Sequence, residues 1–362
     1  MIRRAFMTGL ATAASVVTLR AVRRRGARRL LDAPRTSPHE AALGPALDAL
    51  GGEVVRLLSR DGVRLAARWL PREDDAIGTW LGDPHEGILL LHGYSGSIVP
   101  DLVEYGPFLR RTAGVLGLDF RGHGESDDGP STFGLLEVED VAGALAWFGE
   151  RGITRVAMVG TSMGGIAAIA AVAVLGDGSA TGAEVDVDAP LAPIGPTRPR
   201  IVAVVADSVA PELVIPIARR LRGPARAFTA ARLFDGAASI LGADPRSTEP
   251  GRVIGLVEPV PLLLIHGQAD TTVPIADGRR LAASAGPSAR HWIIPGAEHS
   301  AGHATAGQDY EQRVSDFLRV PFLAIRREDA ERGADAAGSH DMMTRPKSPD
   351  GDRADQAMPA EN

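Results

Sequence analysis

The residues Gly160-Thr161-Ser162-Met163-Gly164-Gly165 stand between an apolar run, Arg155–Val159, and an uncharged stretch rich in alanine. A serine hydroxyl serves as a nucleophile when a base can take its proton and a turn holds it clear of the chain. In the Gly-x-Ser-x-Gly pattern the serine sits on a sharp strand-to-helix turn, and its neighbours two before and two after must lack bulk. Gly160 and Gly164 meet that need. The base and the acid that orients it must come from elsewhere in the chain. His299 lies in Pro295-Gly296-Ala297-Glu298-His299-Ser300, just after the run His291–Ile294. Asp270 lies in His266-Gly267-Gln268-Ala269-Asp270, just after Pro261–Ile265. The order Ser162, Asp270, His299 is the one that accompanies this turn. In such a relay the histidine takes the serine proton and returns it to a leaving group, and the acid fixes the ring's tautomer. Two rivals stand close by: His303 for the base, and Asp207, at the end of Ile201–Ala206, for the acid. The plainer role of Asp207 is to cap the next helix.

Attack on a carbonyl also needs donors for the negative oxygen that develops. The backbone N–H after the serine is one, and an early strand-to-helix loop supplies the other. These are Met163 and Tyr94, the second in His92-Gly93-Tyr94-Ser95-Gly96-Ser97. The His92 ring reads as a shaper of that loop through bonds to its backbone. A further polar loop, Asp119-Phe120-Arg121-Gly122-His123-Gly124-Glu125-Ser126, reads as a turn fixed by an Asp119–Arg121 pair.

These loops need a rigid frame. Val54–Leu58 and Val63–Leu70 alternate around Arg60-Asp61-Gly62, which reads as a hairpin. Short runs rich in Val, Ile and Leu follow at Gly87–Leu91, Val115–Asp119, Arg155–Val159, Ile201–Ala206, Pro261–Ile265 and His291–Ile294. Strands covered on both faces have this character. Leu136–Phe148 and Ser162–Leu175 have helical length between them. The plan is α/β, with a mostly parallel sheet, and chemistry belongs beyond the carboxyl ends of its strands.

Taken together, the four loop motifs (92–97, 119–126, 160–165 and Gly-x-x-Asp-x-x-Val-Pro at 267–274) with the late His299 resemble the α/β-hydrolase superfamily. The likeness is nearest to its single-domain serine esterase, monoglyceride-lipase-like and serine aminopeptidase-like branch, and covers about residues 53–325. It implies helices on both faces of the sheet and a small helical cap inserted at about 211–258, where the strand pattern pauses. The cap holds apolar residues that would serve an acyl site or simply its own packing. It also holds seven arginines, read mainly as solvated surface. Relatives with an aspartate nucleophile are excluded by serine at 162. No zinc-ligand spacing, phosphate loop or dinucleotide fingerprint is present, so catalysis without a cofactor or metal is expected. The relay works only with a neutral imidazole, so activity should fall on the acid side.

The chain has 362 residues, 44% of them hydrophobic, which suits a globular domain and excludes wholesale disorder. With no cysteine there is no disulfide and no thiolate chemistry. Lys347 is the only lysine. Residues 1–35 carry nine arginines against the single acid Asp32, a local charge of +8, which leaves −14 on the rest of a chain of net charge −6. Arg3-Arg4, then Phe6 and an uncharged stretch to Leu19, look like a twin-arginine export signal or an anchor. The expectation is export or membrane anchoring through 1–35, with surface contact and a cytoplasmic location as alternatives. Nothing in the overall charge points to nucleic acid. Gly176–Arg200 reads as a long surface loop, and 327–362 as a disordered tail. The function expected first is cleavage of carboxylic esters or thioesters of small or lipid-like molecules through an acyl-Ser162 intermediate. The second is a peptidase or amidase with the same triad, for which Glu212 and Asp235 would have to bind a free amine. The third is a non-catalytic binding protein on the same fold.

Overall fold

A computed structural model describes residues 21–36, 40–73, 82–94, 96–176 and 198–344. Its centre is one eight-stranded sheet: β1 (Glu53–Leu58), β2 (Arg64–Leu70), β3 (Glu86–Leu91), β4 (Gly114–Leu118), β5 (Arg155–Thr161), β6 (Arg200–Asp207), β7 (Leu262–Gly267) and β8 (Ala289–Ile294). The spatial order is β1-β2-β4-β3-β5-β6-β7-β8. β2 is antiparallel to β1 and to β4, and the other pairings are parallel. This is the α/β-hydrolase fold that the motifs implied. Every residue of β3, β4, β5 and β7 is buried, which is why these strands read as continuous apolar runs. β1, at the sheet edge, alternates in its second half.

The helices are α1 (21–31), α2 (Glu40–Leu50), α3 (Val99–Leu109), α4 (Glu137–Glu150), α5 (Met163–Leu175), α6 (Val214–Arg220), α7 (Arg226–Leu241), α8 (Pro250–Val253), α9 (Ile275–Ser284), α10 (Gly302–Ala306) and α11 (Gln308–Thr344). α5 has no charge and buries eleven of its thirteen residues. Its alanines and glycines let it lie flat against β5 and β6. α6, α7 and α8 fill the interval between β6 and β7, where the strand pattern stops, and form the helical insertion expected at 211–258.

Two expectations about the ends need correction. Residues 21–35, expected to form part of a signal or anchor-like segment, pack on the domain. Ala27, Leu30, Leu31 and Ala33 are buried. A Cβ on Gly236 of α7 would come within 2.8 Å of Ala27 Cβ, so α1 and α7 touch along small residues. Ala27, Leu30 and Leu31 have helical spacing, so one face of this arginine-rich stretch is apolar. Residues 1–20, where the export motif falls, lie outside the described residues, as do 177–197 of the expected surface loop. At the other end, α11 continues to Thr344, so the first part of the segment expected to be a disordered tail is helical. Its alanines and acid–base pairs such as Arg332–Asp329 (2.7 Å) favour a helix without a packed core. The chain divides into two units at Phe322/Leu323. The second unit is described only as the remainder of that helix.

Candidate active site

β5 delivers Ser162 to the carboxyl end of the sheet and α5 starts at the next residue. Ser162 has φ 48° and ψ −110°, a left-handed conformation that L side chains rarely adopt. A Cβ at Gly160 would lie 2.4 Å from the Gly164 carbonyl carbon, and one at Gly164 would lie 2.1 Å from the Leu91 carbonyl oxygen. Both approaches are backbone against backbone, so only glycine fits. Ser162 N–H donates to the Asp207 carbonyl (2.8 Å), which pins the turn to β6.

The loop after β8 brings His299 over this serine. His299 Nε2 lies 3.0 Å from Ser162 Oγ, and His299 Nδ1 lies 2.7 Å from Asp270 Oδ2. With Nδ1–H donating to a carboxylate, Nε2 presents a lone pair to the serine hydroxyl. Asp270 is fully buried, and its other oxygen accepts the N–H groups of Thr272 (2.8 Å) and Val273 (2.7 Å). Three bonds fix the carboxylate in one orientation. The structure thus joins Ser162, His299 and Asp270, the three residues singled out from the sequence.

The rivals are engaged elsewhere. Asp207 accepts from Ser208 Oγ (2.8 Å) and from the Tyr310 hydroxyl (3.0 Å), and burial raises its carboxyl to about 6. His303 sits between Glu104 (3.0 Å) and Glu311 (3.3 Å), and the hydrogen bond to Glu104 is the main cause that raises its pKa. The serine beside Asp207 has a role that sequence reasoning missed. Ser208 Oγ also accepts Ser300 N–H (2.9 Å), bracing the histidine loop against β6. Ser208 (φ 59°) and Ser300 (φ 54°) are both left-handed, like Ser162. Strain of roughly 1–3 kcal/mol at each such residue marks a geometry that the surroundings impose. No local pattern announces this brace, because its two ends are 92 residues apart.

The early loop lies against the elbow. A Cβ on Gly93 would sit 3.7 Å from Ser162 Cβ, so the loop that carries Tyr94 passes beside Ser162. Met163 is the first residue of α5, and its N–H has no carbonyl within the helix to bond. His92 shapes the loop. Its Nδ1 lies 2.7 Å from the Gly93 carbonyl, its Nε2 accepts Phe120 N–H (3.1 Å), and burial lowers its pKa to about 3. The 119–126 loop is fixed differently from the expected pair, because Asp119 and Arg121 bind other groups. Asp119 accepts Ile98 N–H (2.7 Å) and Glu125 N–H (3.0 Å), and burial raises it to about 6. Arg121 binds Asp140 (Nη2 2.7 Å) and Asp61 (Nη2 2.7 Å). Each carboxylate found the partner its own backbone could reach, and sequence proximity did not decide it.

Over the loop, rings link the insertion to Tyr94. Tyr94 stacks on Phe133 (4.9 Å between centroids), and Phe133 meets Phe234 of α7 edge-on (5.9 Å). The end of α1 and the residues just after it close the same region through their backbone. The Tyr94 hydroxyl donates to the Leu30 carbonyl (3.1 Å), Ser131 N–H to Leu31 (2.8 Å), Gly96 N–H to Pro34 (2.8 Å) and Gly124 N–H to Arg35 (2.9 Å). Among the described residues no group of three or more His, Asp or Glu could hold a metal ion.

A family model described as the alpha/beta hydrolase family matches residues 88–314, well over half of the chain. The chain belongs to that family, and the class its fold defines is a hydrolase. YfhR of Escherichia coli strain K12, a protein described as uncharacterized, is 27% identical over 289 residues, covering 78% of this chain and 84% of its own. Among solved structures, the Pyrococcus furiosus esterase Pf2001 superposes with a TM-score of 0.54 at 20% identity, covering 80% of this chain and 97% of its own. A membrane phospholipase A superposes at 0.51 with 15% identity, covering 89% and 99%. At these identities the two structures share the fold.

Proposed function

We propose that this hydrolase cleaves carboxylic esters through Ser162, His299 and Asp270. The observation that carries the reading is the unbroken chain of two hydrogen bonds, 3.0 Å from Ser162 Oγ to His299 Nε2 and 2.7 Å from His299 Nδ1 to Asp270. Ser162 Oγ attacks the carbonyl carbon as its proton passes to His299 Nε2. The carbonyl oxygen, now negative, is held by the N–H groups of Met163 and Tyr94. When it collapses, the bond to the leaving alcohol breaks, and the alcohol takes the proton from His299. Water then attacks the acyl-Ser162 ester, giving its proton to His299. The acid leaves, and the proton returns to Ser162. Asp270 stabilises the imidazolium in both halves.

Ester is favoured over aminopeptidase chemistry by the two acids that would have to bind a free amine. Glu212 is clasped by both Arg280 Nη atoms at 2.8 Å, and Asp235 is paired with Arg232 and Arg246 at 2.9 Å each. Neither is available to a substrate ammonium group without breaking an ion pair. The test is hydrolysis of p-nitrophenyl acyl esters of increasing chain length beside the matching p-nitroanilides, wild type against Ser162→Ala. Ester turnover lost by several orders of magnitude in Ser162→Ala supports the proposal. Faster anilide than ester turnover transfers it to amides, and full activity of Ser162→Ala rejects the nucleophile.

A further inference from the structure

The chain is acidic overall, yet two described stretches hold arginines and no acid. One is α1, with Arg23, Arg24, Arg25, Arg28 and Arg29. The other is the α6–α7 turn, with Arg219, Arg220, Arg222 and Arg226. None of these nine has a carboxylate within ion-pair distance among the described residues. The other arginines of the insertion behave differently: Arg232, Arg246 and Arg252 are paired with Asp235, Asp244 and Glu249. Within α1 and the insertion, the arginines without a carboxylate are therefore grouped in these two stretches.

The tertiary structure brings the two stretches together beside the candidate site. The Tyr94 hydroxyl is bonded to the end of α1 at Leu30, and the Arg220 guanidinium lies 5.4 Å from the centre of the Tyr94 ring. Gly26 and Ala27 of α1 pack against Leu233 and Gly236 of α7. Arg24, Arg25, Arg28, Arg29, Arg219, Arg220, Arg222 and Arg226 are exposed. Between α1 and α7 runs a groove of about 490 Å³ lined by Arg23, Arg24, Gly236, Ser239 and Ile240. Phe228 (63% exposed) on α7 and Val22 (64%) on α1 stand on the same two helices. Phe228 is the one large aromatic side chain so exposed among the described residues.

We infer that the face formed by α1, α6 and the start of α7 docks on an anionic lipid surface, with Arg220 and Tyr94 turned to the bilayer side of the candidate site. Charge complementarity selects a polyanion. The exposed Phe228 and Val22 select a bilayer over a nucleic acid, because they gain from an acyl layer and nothing from a phosphate ribbon. The uncharged sequence from Ala5 to Leu19, separated from α1 by Arg20, agrees with that choice. Docking is independent of the ester chemistry, so it can be tested without turnover.

The experiment is co-sedimentation of the full chain, carrying Ser162→Ala, with phosphatidylcholine vesicles with and without about a third phosphatidylglycerol. Each arginine held near an anionic surface strengthens binding about fivefold. Replacing Arg219, Arg222 and Arg226 by glutamine should therefore lower partition onto the anionic vesicles roughly 100-fold. Phe228→Ser should weaken vesicle binding while leaving retention on heparin unchanged. In the chain with Ser162 intact, the triple variant should still hydrolyse a soluble short-chain ester at the wild-type rate. Equal binding of wild type and triple variant overturns the inference and leaves association to residues 1–20. Binding to heparin or DNA as tight as to vesicles and indifferent to Phe228 overturns it in favour of a nucleic acid partner. Loss of soluble-ester hydrolysis in the triple variant shows a disturbed fold. Arg24→Gln with Arg28→Gln, on α1, then repeats the partition test, with about a 25-fold loss expected and no loss overturning the inference.

Discussion

Replacing Asp270 by asparagine tests the relay with almost no change in shape. Asp270 Oδ1 is held by two fixed donors, Thr272 N–H (2.8 Å) and Val273 N–H (2.7 Å). An asparagine can satisfy those two amides only with its oxygen, so its NH2 must turn toward His299. The imidazole Nδ1, which donates to Asp270 Oδ2 at 2.7 Å, must then accept, and the ring proton moves to Nε2. Nε2–H faces Ser162 Oγ, 3.0 Å away, as a donor and can no longer take a proton. The base is removed while its position is kept. The expected loss of kcat is about 10⁴-fold, equivalent to about 5.5 kcal/mol of barrier. The assay is p-nitrophenyl ester hydrolysis under saturating substrate, with the labelling rate of a fluorophosphonate probe as a measure of serine nucleophilicity. Thermal unfolding should show little change, since size and backbone bonds persist. An Asp270→Asn enzyme within tenfold of wild type, with normal stability, would falsify the assignment of Asp270 as the orienting acid. The parallel change Asp207→Asn should leave the His299 tautomer untouched.

Other substitutions probe the frame. Arg121→Met strands Asp140, which has no exposed side-chain surface, and should cost about 3–5 kcal/mol in denaturant unfolding. A cost under 1 kcal/mol would show that Asp140 is held by something else. Leu30→Ala and Leu31→Ala should each destabilise the fold by about 2 kcal/mol, because both are buried side chains of α1. Unchanged unfolding would make 21–35 a detachable arm after all. His303→Gln should keep ester hydrolysis near wild type. The native His303 pKa is raised by Glu104 and then Glu311, so its stabilisation is full below the ordinary histidine value and fades as pH rises through the raised one. The Tm gap between wild type and His303→Gln should therefore be wide near about pH 5.5 and narrow by about pH 9. A gap that is constant or grows with pH contradicts the Glu104–His303 pairing.

What the sequence determined by itself is the local part of the machine. The elbow at 160–165, the hairpin turn at 60–62 and the apolar runs of β3 to β8 are written in adjacent residues. Glycine is required where backbones touch, and a strand covered on both faces is apolar along its middle, with polar residues such as Glu86, Arg155 and His266 kept to its ends. Ser162, Asp270 and His299 could be singled out for the same reason: each lies in the loop or turn that follows a strand, and the carboxyl ends of parallel strands share one edge. The choice between Asp270 and Asp207 was not local. Asp207 ends one buried strand and Asp270 follows another, and only the packing that gives Asp207 to Tyr310 and Ser208 leaves Asp270 for His299. The Ser208–Ser300 brace, the Glu104–His303–Glu311 clasp and the Arg121 partners likewise depend on contacts across tens to hundreds of residues. α1 shows the divide most clearly. Its arginines fixed its charge in the sequence, but whether it hung free or packed on the insertion depended on Gly26 and Ala27 meeting Leu233 and Gly236 of α7, more than 200 positions away. Such a match is a property of two surfaces, and neither carries it alone.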